Sequence, residues 1–117
     1  MDLSVQAGHQ VYALSRSAPE NKPGNCEWIT ASATEPETYL NSLPETIHAL
    51  TFCPGKVILG PIKRLKPEQM LEAYQTSVLD AFTAIQALLP RLEGSVALLS
   101  SVAARTGLPN HCAISAA

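Results

Sequence analysis

Apolar and polar positions follow one another in short blocks that predict four strands. Apolar runs at residues 10–15, 26–30, 47–53 and 95–101 have the length of strands and are bounded by turn residues. The last run is continuous rather than alternating, which is typical of strands buried on both faces of a parallel sheet. We therefore expect residues 95–101 to lie inside a sheet.

Helical signals stand between these strands. Thr34 is a good N-cap, with Glu37 three residues later, and predicts a helix that ends near Leu43. Pro67 opens a longer helix that runs to about Leu89, where Pro90 follows. Its apolar positions recur every three or four residues. They are Met70, Leu71, Tyr74, Val78, Ala81, Phe82, Ile85, Leu88 and Leu89.

The beginning of the chain has weaker signals. Residues 2–7 are typical of the last turns of a helix, and Gly8 is suited to the left-handed position that closes one. Residues 16–25 contain two prolines and a glycine, which predict a loop. The resulting order is strand, strand, helix, strand, long helix, strand. Such alternation favours an α/β domain with a parallel sheet, and 117 residues suit a single domain.

Composition narrows the class of protein. Hydrophobic residues make up 46% of the chain and charged residues 15%, which argues against disorder. The net charge of −2 argues against a nucleic-acid surface, since such domains are usually basic. No apolar run approaches the roughly 20 residues of a membrane span, and no secretory signal is present. Three cysteines without a CxxC pair predict no metal site and favour a reducing cytoplasm.

Two segments give the chain a specific resemblance to a family. Residues 8–16, Gly-His-Gln-Val-Tyr-Ala-Leu-Ser-Arg, are similar to the join between the first helix and second strand of short-chain dehydrogenases/reductases. Residues 98–111 are similar to that family's active-site serine strand and the loop after it. The resemblance extends over essentially the whole chain. It implies a partial NAD(P)-binding, Rossmann-type domain over residues 1–117, a parallel sheet with flanking helices whose first strand and C-terminal elements lie outside the sequence.

The resemblance also implies a catalytic group of serine, tyrosine and lysine, usually with an asparagine. Ser101 stands at the position of the serine that hydrogen-bonds the substrate oxygen. Ile114 stands at the tyrosine position, and isoleucine cannot exchange a proton with the substrate. Ser77 stands at the asparagine position in the long helix. The lysine position falls immediately after Ala117, so we expect the lysine outside the sequence.

The cofactor implied by the resemblance is NADP or NAD. Arg16 resembles the basic residue that accepts the ribose 2′-phosphate of NADP, and Ser32 stands at the adenine-contacting acidic position. Cys53 and Gly55 belong to the segment where the family has Asn-Asn-Ala-Gly. The glycine-rich turn that holds the pyrophosphate is expected upstream of Met1.

Several alternatives stay open at this point. Ser101 is either an inherited active-site residue or an ordinary serine at a strand end, and Arg16 either selects NADP or faces solvent. His111 is either a substitute proton donor or a polar loop residue. The chain as a whole is either part of an oxidoreductase for small carbonyl or alcohol substrates, inactive in isolation, or a non-catalytic pseudo-enzyme or subunit-interaction module. A purely structural remnant is a third interpretation.

The implied loss of the first strand has a physical consequence. Strands beside the gap would leave backbone groups unpaired, at about 1–3 kcal/mol for each buried group. We therefore expect exposed apolar surface and a tendency to associate. The helix at residues 67–89 is the predicted surface for a homo-oligomer, because short-chain dehydrogenases commonly pair subunits through it.

Overall fold

The structure is a computed structural model that describes residues 2–21 and 24–117. Its contacts divide the chain into two compact units, residues 1–45 (unit 1) and residues 46–117 (unit 2). Each unit contains one pair of parallel strands. That residues 1–117 form one domain stays a prediction.

Unit 1 begins with the predicted helical turn and the first two predicted strands. Helix α1 (Asp2–Gln6) is followed by Gly8 in the left-handed conformation, with φ of 84°. Strand β1 (Val11–Ser15) pairs in parallel with β2 (Cys26–Thr30), so that Val11 faces Cys26 and Ser15 faces Thr30. Parallel pairing of consecutive strands confirms the predicted α/β class for this unit.

The predicted loop at residues 16–25 lies between these strands, although residues 22 and 23 are outside the described ranges. Asn25 ends the loop with a left-handed backbone, φ of 57°. Its side-chain amide donates to the His9 carbonyl at 3.0 Å. Asparagine tolerates this conformation because its short side chain can hydrogen-bond locally. The bond ties the chain segments that precede β1 and β2 to each other.

The predicted helix from Thr34 to Leu43 is wrong in type. Two 3-10 turns, Pro36–Thr38 and Leu40–Ser42, replace it. Between them Tyr39 has φ of −128° and is only 1% exposed, and its hydroxyl donates to the Ala33 carbonyl at 3.2 Å. Burial of this one side chain interrupts a segment too short to stabilise an α-helix by itself.

Unit 2 pairs strand β3 (Ile47–Phe52) in parallel with β4 (Leu92–Leu98). Ile47 faces Leu92, whereas Ala49 faces Ser95, so β4 contains one extra residue and forms a bulge. Gly94 lies in this bulge. A Cβ atom there would overlap the backbone carbonyl of His48, and only glycine permits such a close approach.

The predicted strand at residues 95–101 is wrong in position, because β4 begins and ends three residues earlier. Phe52, the last residue of β3, faces Leu98, and residues after Leu98 therefore have no partner on β3. The expectation that this strand is buried on both faces is also wrong. Residues 93–98 are exposed, so neither face of β4 is covered along most of its length. Within the described chain, β4 pairs with β3 alone.

The long helix begins at Pro67 as predicted. It comprises α2 (Pro67–Tyr74), a π-helical segment (Gln75–Leu79) and α3 (Asp80–Leu88), after which a 3-10 turn (Leu89–Arg91) leads to β4. The predicted apolar stripe divides into two faces. The buried residues are three alanines and one leucine at the end of the helix: Ala73, Ala81, Ala84 and Leu88. The exposed residues have large side chains: Leu71, Tyr74, Leu79, Phe82 and Leu89.

Two short helices after β4 were not predicted. Helix α4 (Ala103–Thr106) ends at Gly107, which has φ of 60°, and α5 (Cys112–Ala116) packs against α2. With four and five residues, they are too short to show an apolar period. Their packing forms a small core of Ile58, Ala73 and Ala113, against which Leu65, Met70 and Ala117 lie.

Candidate active site

The carboxyl ends of β1 and β2 present Arg16 and Ser32. Arg16 is the first residue after β1 and is exposed. Ser32 follows β2 by two residues, and its hydroxyl shares a 2.8 Å hydrogen bond with the Thr34 hydroxyl. The Ala31 amide donates to the Ser15 carbonyl at 3.0 Å and joins the two strand ends. Open parallel sheets commonly bind ligands at the carboxyl ends of their strands, and the cofactor roles of Arg16 and Ser32 stay predictions.

A side-chain pair that was not predicted braces this edge. The Trp28 indole N–H on β2 donates to the Ser15 hydroxyl at 3.1 Å. The Ser15 hydroxyl in turn donates to the Ser17 carbonyl. These bonds fix the backbone on both sides of Arg16. A lone tryptophan on a short strand was a possible signal, but sequence alone does not show which hydroxyl it reaches.

The structure brings two of the predicted residues together after β3. Gly55 lies in the loop that follows Cys53, and a Cβ atom built on it would be 4.0 Å from the Ser77 hydroxyl oxygen. Ser77 is half-buried within the π-helical segment Gln75–Leu79. Such segments are rare and occur frequently at functional sites. Cys53 itself is exposed and is a free thiol.

Ser101 was predicted to lie at the end of a strand, but it lies between β4 and α4. Its hydroxyl oxygen accepts a hydrogen bond from the Ala103 amide at 3.2 Å. Its carbonyl accepts from the Ala104 amide at 3.1 Å. Because the Ala103 bond uses a lone pair of the oxygen, the hydroxyl proton is left to donate to another group. Both interpretations of Ser101, an inherited active-site residue and an ordinary serine at a strand end, stay predictions.

Ile114 is half-buried in α5 and cannot take part in proton transfer. His111 precedes α5, and its Nδ1 atom lies 2.6 Å from the Pro109 carbonyl. Since a carbonyl only accepts, this bond places a proton on Nδ1 and holds the ring against its own loop. Beside α5 lies an open groove of about 500 Å³. Its lining includes Gly60, Ile62, Leu108, Asn110, Cys112 and Ser115.

An ion pair joins the loop after β3 to α2. Lys56 and Glu72 form an ion pair in which both side chains are about half exposed. Within the described ranges, no group of histidine, cysteine, aspartate and glutamate side chains has the arrangement of a metal site. No described helix is both long and apolar enough to cross a membrane.

Comparison with known proteins shows the fold. No protein-family model and no curated protein sequence matches the chain. Several solved structures match the chain. A short chain dehydrogenase family protein from Francisella tularensis is 20% identical, with a TM-score of 0.81, and the match covers 97% of this chain and 50% of that one.

Two further structures are equally similar. A carbonyl reductase from Pseudomonas aeruginosa is 24% identical, with a TM-score of 0.82 over 98% of this chain and 61% of that one. A serine dehydrogenase from Escherichia coli is 19% identical, with a TM-score of 0.82 over 97% and 61%. The chain therefore spans about half to three fifths of the length of these structures. Its fold is that of part of a short-chain dehydrogenase, a Rossmann-type α/β fold, as the sequence predicted.

Proposed function

We propose that the chain is part of an NAD(P)-dependent oxidoreductase of the short-chain dehydrogenase/reductase type, acting on a small carbonyl or alcohol. The observation that carries the proposal is the likeness to dehydrogenase and reductase structures over 97–98% of the chain. The serine segment around Ser101 supports it. A cytoplasmic location, which three cysteines without a CxxC pair favour, belongs to the same proposal.

Of the two catalytic positions at Ser101 and Ile114, the first can polarise a carbonyl and the second cannot protonate it. The Ser101 hydroxyl, held by the Ala103 amide, has a proton to donate to a substrate oxygen. Ile114, at the position of the general acid, has none. Hydride transfer itself is the chemistry that a bound nicotinamide supplies. We therefore expect no measurable turnover from the isolated chain.

The proposed cofactor contacts are Arg16, Ser32, Cys53 and Gly55, with NADP preferred through Arg16. Trp28 is the single tryptophan, and its indole N–H donates to the hydroxyl of Ser15, the neighbour of Arg16. Its fluorescence therefore reports on the carboxyl ends of β1 and β2. We expect NADPH to quench this fluorescence in the wild-type chain. Arg16→Ala should weaken NADPH binding about tenfold or more, as loss of a charge-assisted hydrogen bond does. NADH binding should be unchanged.

A matched control is Arg105→Ala, which removes an exposed cation from α4 in unit 2. It should leave both nucleotides unaffected. Equal weakening of NADPH and NADH by Arg16→Ala would contradict a role in NADP selection. No quenching by either nucleotide would contradict cofactor binding by this chain.

The absence of the general acid is tested by the Ile114→Tyr substitution in the full-length protein. If the rest of the site is competent, the substitution introduces a proton donor and should produce NADPH-dependent reduction of a small carbonyl. Ile114→Phe, which adds the ring without the hydroxyl, is the control and should remain inactive. Nucleotide binding without activity in Ile114→Tyr would favour the pseudo-enzyme.

The second candidate is a non-catalytic interaction module, which the exposed helix face supports. Phe82 and Leu89 are 61% and 60% exposed on one side of the helix at residues 67–89, and large apolar patches mark protein–protein contacts. We propose that this face pairs two copies of the chain. Phe82→Glu should shift sedimentation toward the monomer, whereas Gln86→Glu, an exposed position on the same helix, should not. Equal sedimentation of wild type and Phe82→Glu would refute pairing through this face.

A further inference from the structure

A second open groove lies where the loop before α2 turns into the helix. We name it the 62–71 groove, and its volume is about 530 Å³. Leu65 and Met70 pack against the core of unit 2 and form a fixed floor. Ile62 and Leu71 are 75% and 69% exposed at its sides. The full lining is Ile62, Leu65, Pro67, Met70, Leu71 and Cys112.

The groove lining is apolar, and three cations are sequence neighbours of its lining residues. Lys63, Arg64 and Lys66 alternate along the chain with the lining residues, and all three are exposed. Residues 62–71 also contain Glu68, so their net charge is +2, whereas the whole chain carries −2. Of the residues that the structure describes, none with an acidic side chain forms an ion pair with these three cations. Glu72, the next carboxylate along α2, is paired with Lys56.

We propose that the 62–71 groove binds an aliphatic carboxylate with a medium or long unbranched chain. The hydrocarbon lies on Leu65 and Met70 between Ile62 and Leu71, and the carboxylate meets the neighbouring cations. Transfer of a hydrocarbon chain from water to this floor is favourable in proportion to the apolar area covered. The complementary charge selects an anionic head over a neutral one, and the proposal does not depend on hydride chemistry.

Cys112 provides a direct readout, because its half-buried thiol lines the groove. Its alkylation by iodoacetamide is followed by mass spectrometry in the full chain, with and without dodecanoate below the micellar concentration. We expect dodecanoate to slow alkylation of Cys112 at least fivefold at saturation. Cys53, an exposed thiol outside the groove, is the internal control and should react at an unchanged rate. Dodecanol, which has the same chain and no charge, should protect Cys112 more weakly.

Two pairs of variants separate the charge from the apolar contact. Arg64→Glu should weaken dodecanoate binding about two- to fivefold, the range for exposed charge pairs, and the effect should shrink in high salt. Arg105→Glu, outside the groove, should not change it. Leu71→Asp removes an exposed apolar wall without touching the core and should abolish protection. Leu3→Asp, at an exposed leucine of unit 1 outside the groove, should retain it.

Four results would overturn the proposal. Equal protection by dodecanol and dodecanoate would show that the cations do not select the ligand. No protection by either would show that the groove does not hold a hydrocarbon chain. Protection that depends on protein concentration and not on dodecanoate would make a second copy of the chain the occupant. Protection by anionic phosphatidylglycerol vesicles but not by dodecanoate would make the groove a contact with membrane surfaces.

Discussion

The two units differ in how completely they cover their own apolar side chains. Within the described residues, fourteen large apolar side chains are exposed, and Leu3 is the only one of them in unit 1. The other thirteen are in unit 2, on β4, on the long helix and on the adjoining loops. Unit 1 instead contains Tyr39, the largest fully buried side chain. The predicted exposed apolar surface is thus present, and it is confined almost entirely to one unit.

This difference shows which part of the chain depends on other surfaces. In unit 1 the Tyr39 side chain is fully buried, and its hydroxyl donates to the Ala33 carbonyl. Unit 2 buries mainly alanines along its long helix and leaves the large side chains exposed. We therefore expect low local stability there unless another surface covers these side chains. That association covers them stays a prediction. The experiments below test the contrast, beginning with the largest expected effect.

Truncation of the unit 1 anchor should have the largest effect. Tyr39→Ala removes a fully buried ring and should reduce the free energy of unfolding by about 3–5 kcal/mol. Urea unfolding followed by Trp28 fluorescence measures it in the same unit. Tyr74→Ala, at an exposed tyrosine of unit 2, is the control and should change this transition by less than about 1 kcal/mol. A similar loss in both variants would remove the contrast between the units.

The strand pair of unit 2 is tested at its bulge. Gly94→Ala forces a Cβ atom into the His48 carbonyl, and we expect a loss of about 3 kcal/mol. Hydrogen exchange of the β3 and β4 amides measures the loss locally. Gly60→Ala, whose Cβ would make an ordinary 3.7 Å contact with Leu65, should cost less than about 1 kcal/mol. Unchanged exchange in Gly94→Ala would show that the bulge is not constrained.

The Tyr39 hydroxyl gives unit 1 a dependence on alkaline pH. Burial, assisted by the Glu37 carboxylate, raises the pKa of Tyr39 above its ordinary value of 10.0. Below that value the phenol is protonated in both folded and unfolded states, and its stabilisation is complete. Above it the unfolded chain loses its proton first, so stability falls as the pH rises toward the folded-state pKa.

Tyr39→Phe tests both parts of this account. It should lower the free energy of unfolding by about 1 kcal/mol at neutral pH, since the bond to the Ala33 carbonyl is lost. It should also flatten the decline between pH 9 and 11, a range that brackets the ordinary tyrosine pKa of about 10. Urea unfolding of wild type and variant at each pH gives both quantities. Parallel declines in the two proteins would assign the alkaline loss to other groups.

The smallest effect is expected at the Lys56–Glu72 ion pair of unit 2. Both side chains are about half exposed, and pairs of this kind contribute about 0.2–1 kcal/mol and weaken in salt. A double-mutant cycle with Lys56→Gln and Glu72→Gln isolates the coupling. A coupling above about 2 kcal/mol would show that the loop after β3 is held to α2 far more firmly than its exposure implies.

Local patterns predicted the elements whose signals lie within a few neighbouring residues. The strand at Cys26–Thr30, the helix start at Pro67 and the left-handed Gly8 all stand where the sequence placed them. The candidate site was predictable only from the resemblance to a family. Nothing in the residue pattern pairs Ser77 with Gly55, since they are 22 positions apart and meet only through folding.

The sequence by itself determined the α/β class, the helical period of its apolar residues and the ends of elements at proline and glycine. These are short-range properties of backbone and side chain. Tertiary structure decided the ends of β4, the two faces of the long helix and the 3-10 turns around Tyr39. A strand ends where its partner ends, and an apolar side chain is buried only where another surface meets it. Both conditions are set by segments distant in sequence, which no local pattern contains.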